Sequence, residues 1–118
     1  MLNLSKIEKT IQVRTSCRRY LRSPIGIEDR QKLVHMIHPQ TAAPLGSHTR
    51  FLLTSAAEED RHALKGLGTY GYILGATGFI IGAVETAPHD MEDYGYQMEA
   101  IILFATQLGL GTCWLGGT

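Results

Sequence analysis

Arg14, Ser16 and Arg18 stand two residues apart in "RTSCR". In an extended chain, side chains two apart share one side of the backbone, so this spacing gathers two guanidiniums and a hydroxyl. A phosphate monoester is bound by that donor set: forked, permanently charged groups plus a neutral donor. The same residues also suit a solvated basic face, and on spacing alone that plainer reading carries more weight.

The other candidates are weaker. "GLGTYG" at Gly66–Gly71 matches the glycine pattern of a dinucleotide fingerprint. That fingerprint works only when a strand feeds the glycine turn and a helix receives the pyrophosphate. Here a charged helical stretch precedes it, so a plain glycine loop is the better reading. His35 and His38 have helical i,i+3 spacing but no third ligand nearby, which favours two surface histidines over a metal site. Asp90, Glu92 and Asp93 are explained by the start of a helix, with Asp90 as its cap. Cys113 and Trp114 lie in an apolar stretch and read as core. No Ser/His/Asp arrangement is identifiable. What emerges is an anion-binding N-terminal segment, a glycine-rich end and no catalytic group borne by the protein. A cofactor that brings its own reactivity fits that combination.

The totals are consistent with a globular domain. The chain has 118 residues, 44% of them hydrophobic, with 11 basic and 11 acidic residues. Zero net charge gives no reason to expect nucleic acid as a partner. The charges are uneven, however: residues 1–35 hold eight Lys/Arg against three Asp/Glu. Two cysteines, neither in a CxxC pair, make no disulfide framework. With no signal peptide legible, a cytoplasmic protein is expected. No apolar tract is long enough to span a bilayer, so no membrane partner is expected.

The elements that must position these residues alternate unevenly, which predicts an α+β or α/β class. A first helix places Leu4, Ile7 and Ile11 inward, behind Asn3 or Ser5 as cap. A second covers about Ile27 to Ile37, with Leu33, Val34 and Ile37 inward. "TRFLLTS" is a strand, "AAEEDRHALK" a short exposed helix, and Gly78–Val84 a buried strand after a further short helix. The strongest helix starts at Asp90 and stops at Gly109. Its second half (Met98, Ile101, Ile102, Leu103, Phe104, Leu108) is apolar nearly all round. Residues Gly111–Leu115 read as a last strand. A chain this short has little with which to cover that helix and Trp114, so a partner subunit is expected.

"IQVRTSCRRYLRSPI" resembles the R-x-S-x-R-x-(F/Y) opening of the nitroreductase family of flavoproteins. "EDYGYQMEAIILFATQLGLGTCWLGG" is similar to that family's long central helix and the strand after it. With "LGTYGYILGATGFIIGAV", the pattern looks most like the subgroup of putative TM nitroreductases. The resemblance runs along essentially the whole chain. It implies an α+β fold with a central sheet, a homodimer and FMN at the subunit interface. NAD(P)H would be the electron donor, and nitro compounds, quinones or similar small molecules the acceptors. Carried over by position, Arg14, Ser16 and Arg18 would hold the FMN phosphate and the pyrimidine side of the ring, with Thr15 among the contacts. The backbone at Leu115, Gly116 and Gly117 would approach the flavin near N5, where a side chain would obstruct it.

Two departures follow. The family's loop offers an Asn and a Gln to the flavin ring, whereas "PLGSHTRF" has neither amide and leaves Ser47 as the substitute. Family members also continue past the Gly-Gly pair with further basic residues, so residues 1–118 are expected to be the N-terminal part of one nitroreductase-like domain. The alternative is a non-catalytic remnant, or an anion- or nucleotide-binding dimerisation module.

Overall fold

A computed structural model describes residues 2–37, 43–55 and 75–115. A 3-10 turn, Leu4–Lys6, leads into α1, Ile7–Val13; α2 is Ile27–Ile37. Strands β1, Thr49–Ser55, and β2, Gly78–Val84, precede the long α3, Asp90–Gln107. The expected helices over "AAEEDRHALK" and before β2 lie outside the described residues.

β1 and β2 pair antiparallel, with Phe51 opposite Gly82 and Leu53 opposite Ile80. Period-two alternation turns Phe51 and Leu53 inward and leaves Leu52 exposed. The sheet lays its inner face on α2 and α3, which together form the core. Leu33 and Ile37 come from α2; Met98, Ile101, Ile102, Phe104 and Ala105 come from α3. This is the α+β class that the sequence indicates. Phe51 and Tyr94 pack with ring centroids 5.5 Å apart, over the space left by Gly82.

The second half of α3 is buried as its composition requires, but within a single chain. Ile101, Leu103 and Phe104 are 3%, 8% and 4% exposed. The expectation that a partner subunit must cover them is corrected: α2, the sheet and α1 supply neighbours for this helix. Gly109, at φ +83°, ends the helix in the left-handed conformation that glycine adopts without strain.

Three inward-facing assignments are corrected as well. On α1 the buried residue is Thr10, while Leu4 and Ile11 face solvent. The helix docks by hydrogen bonds rather than by an apolar stripe. The Gln107 amide donates to the Asn3 carbonyl and to the Thr10 hydroxyl, both at 3.0 Å, and accepts from Asn3 N–H at 2.8 Å. On α2, Val34 is exposed although Leu33 and Ile37 are buried. At the start of α3, His89 holds the cap position and Asp90 is the first helical residue.

Candidate functional site

After α1 the chain turns extended at Arg14 (φ −67°, ψ 128°) and runs beside the segment that follows α3. Ser16 and Thr112 pair in a parallel bridge, and Cys17 N–H donates to the Thr112 carbonyl at 2.8 Å. The Arg14 guanidinium donates from Nη1 to the Thr112 hydroxyl at 3.2 Å. The full last strand expected over Gly111–Leu115 is corrected to this single bridge.

Cys17 and Arg19 line a cavity of about 510 Å3, whereas Arg14, Ser16 and Arg18 do not. Arg14 is half-buried on Thr112; Thr15, Ser16 and Arg18 are exposed. Among the described residues, neither Arg14 nor Arg18 forms a salt bridge. Ser16 and Arg18 are thus exposed, and no carboxylate pairs with either guanidinium among the described residues.

The cavity lies between the N-terminal segment, β2, α3 and the residues after α3. Tyr20, Phe79, Tyr94, Met98 and Trp114 give it an aromatic and apolar wall, and no Asp, Glu or His lines it among the described residues. Its size suits a small organic ligand. Thr112, whose hydroxyl accepts from Arg14, lines the cavity as well.

Two residues read as core belong to the site's edge. Trp114 is 42% exposed, and its indole N–H donates to Glu99 at 2.9 Å. Cys113 is half-buried on the cavity wall. Leu115 also lines the cavity, while Gly116 and Gly117 lie outside the described residues.

Ser47 stands elsewhere. It is buried beside Asp93, near the start of α3, while Arg14 and Thr112 meet past its end. Gln107 lies fourteen helical steps after Asp93, a rise of roughly 21 Å. One chain does not bring Ser47 to the triad.

Asp93 is the functional-looking residue whose role the sequence hid. It is 1% exposed, and its two oxygens accept from Leu45 N–H at 2.8 Å and Ser47 N–H at 2.9 Å. Burial pushes its carboxyl up, but the Ser47 side chain, the two N–H groups and His89 together outweigh that, holding it below the ordinary carboxylate range. The reading of Asp93 as part of a helix cap is corrected: it staples the loop before β1 to α3. Its only sequence signal is an acid one turn into a helix, which helix-start chemistry also explains.

His35 is exposed on α2, while His38 and "GLGTYG" lie outside the described residues. Among the described residues no group of three His, Cys, Asp or Glu side chains could hold a metal. No helix among them is long and apolar enough to cross a membrane.

The chain is thus an α+β domain with an apolar and aromatic cavity beside a basic N-terminal segment. A family model described as "Putative TM nitroreductase" matches residues 6–118, and the chain belongs to that family. That makes it a nitroreductase-like protein, of a family whose general cofactor is flavin. No curated protein and no solved structure matches it.

Proposed function

We propose that this chain is an FMN-dependent NAD(P)H oxidoreductase that acts as a homodimer on nitro compounds, quinones or similar small acceptors. The observation that carries the reading is the triad. Arg14 is fixed by Thr112, and Ser16 and Arg18 stand exposed close along the chain without a carboxylate partner among the described residues. These groups would hold the FMN phosphate, with Thr15 and the Leu115–Gly117 backbone as further contacts. When bound, FMN supplies hydride uptake from NAD(P)H and delivery to the acceptor. The protein's part is to bind and orient. Arg14 and Arg18 neutralise the phosphate dianion, and the bridge between Ser16 and Thr112 keeps the segment extended.

Ser47 contributes a ring contact in this reading only from the partner subunit, because in its own chain it sits at the far end of α3. The exposed apolar side chains Leu4, Ile11, Val13 and Trp114 support a dimer interface. The two free thiols suit the reducing cytoplasm.

Titrating the protein with FMN and with riboflavin, followed by flavin fluorescence, tests the assignment. FMN should bind the more tightly, and Arg18→Glu should weaken it about tenfold or more while affecting riboflavin far less. Equal losses for the two ligands would refute the phosphate site. A colourless protein that ignores FMN but binds inorganic phosphate through Arg18 would instead favour the non-catalytic anion-binding module.

A further inference from the structure

The hydrogen-bond pattern of the sheet fixes what β2 turns toward the cavity. Glu85 N–H donates to the His48 carbonyl at 2.9 Å, and these residues continue the register that sets Val84 opposite Thr49. In an antiparallel ladder, pairs that exchange hydrogen bonds alternate with pairs that do not. The bonded pairs are therefore Ala83 with Arg50, Ile81 with Leu52, and Phe79 with Thr54. Gly78, Ile80 and Gly82 fall between them and direct their N–H and C=O groups away from β1. Among the described residues no third strand receives this edge.

At Gly82 an aromatic oxygen already occupies the edge. The backbone N–H bonds the phenol oxygen of Tyr94, and a Cβ on Gly82 would lie 2.7 Å from that oxygen. Gly78 and Ile80, further along the same edge, line the cavity. Around them stand Phe79, Tyr94 and Met98, and no Asp, Glu or His among the described residues. An apolar, aromatic space disfavours an unpaired charge, and half-buried backbone groups ask for partners. We propose that the cavity binds a flat, uncharged heteroaromatic lactam, whose adjacent N–H and C=O pair with the edge of β2 at Gly78 and Ile80 as a neighbouring strand would. The ring N–H donates to a backbone carbonyl, and the ring carbonyl accepts from a backbone N–H. A ring without that donor fills the same space but leaves an edge carbonyl unpaired, which is how the site discriminates.

The proposal does not rest on the phosphate site, and neither does its test. The probe is carbostyril, an uncharged two-ring lactam without a phosphate. N-methylcarbostyril keeps the rings and the carbonyl but has no N–H to donate. Each is titrated into the whole, isotope-labelled chain without flavin, followed by calorimetry and by amide resonances. Carbostyril should bind and move the Gly78 or Ile80 amide resonance downfield, as a new hydrogen bond does. N-methylcarbostyril should bind about tenfold or more weakly. Equal affinities, shifts that spare both Gly78 and Ile80, or no binding of carbostyril would each overturn the proposal. FMN titrations report on Arg14 and Arg18 separately, so failure of the phosphate site and failure of the lactam site are told apart.

Discussion

Arg14 hydrogen-bonds the hydroxyl of Thr112 across 98 positions of sequence, joining the first candidate ligand-binding residue to the segment in which the described chain ends. This contact and the bridge at Ser16 tether the short basic stretch to the residues after α3. Thr112→Val keeps the shape of the side chain and removes the acceptor. It should release Arg14 and weaken FMN binding several-fold, with a smaller effect on riboflavin. The loss should be less than that of Arg18→Glu, which adds repulsion. Parallel flavin titrations on both variants check the order.

Gly82 lies beneath the Phe51–Tyr94 pair. A Cβ there would meet Tyr94 Cε2 at 2.6 Å and Phe51 Cε1 at 2.7 Å. Rings wedged in a core do not step aside as a flexible chain end would, so Gly82→Ala should cost about 1–3 kcal/mol. Gly95 in α3 has nothing within 4 Å of the same added atom. There Gly95→Ala should stabilise by roughly 0.5–1 kcal/mol through helix propensity. Urea midpoints of the two variants should move in opposite directions.

Asp93 makes stability sensitive to acid. Its folded-state pKa lies below the ordinary 3.8, so it stabilises the fold above that value. The contribution is lost as pH falls through 3.8 and then through the folded pKa, because the unfolded chain takes up the proton first. Asp93→Asn keeps one acceptor oxygen for two N–H donors. It should lower the melting temperature at neutral pH and flatten the fall in stability below pH 4. Thermal melts across pH 2.5 to 7 separate this from a merely steric role, which would shift all melts equally.

Tyr20 acts at the other end of the scale. Burial first, then the thiols of Cys17 and Cys113, push its phenol up from 10.0 to about 12. The neutral phenol therefore favours the folded state, and that contribution is complete below pH 10. It declines as pH rises from 10 toward 12, since the unfolded chain ionises first. Ultraviolet titration should find a late-ionising tyrosine that disappears in Tyr20→Phe, and that variant should lose less stability between pH 10 and 12.

Local periodicity and punctuation made much of the fold readable. "TRFLLTS" was readable as the strand β1, and the start at Asp90 and the stop at Gly109 bounded α3. Those signals are written within a few residues and survive without knowledge of the rest of the chain. The spacing of charge and hydroxyl in "RTSCR" is readable in the same way, because it is a property of the chain itself.

Pairing between distant segments is not written locally, and the tertiary structure decided it. Val34 and Ile11 fit an apolar stripe yet face solvent, because an amphipathic pattern does not say which edge of its face a neighbour covers. Asp93 looked like part of a helix start, and only the return of the 43–47 loop turned it into a buried anchor. Cys113 and Trp114 read as core, but the segment that holds them makes one bridge and leaves both on a cavity rim. Spacing in the sequence determined which donors stand close along the chain; the meeting of Ser16 with Thr112, a pairing of distant segments, decided what lies beside them.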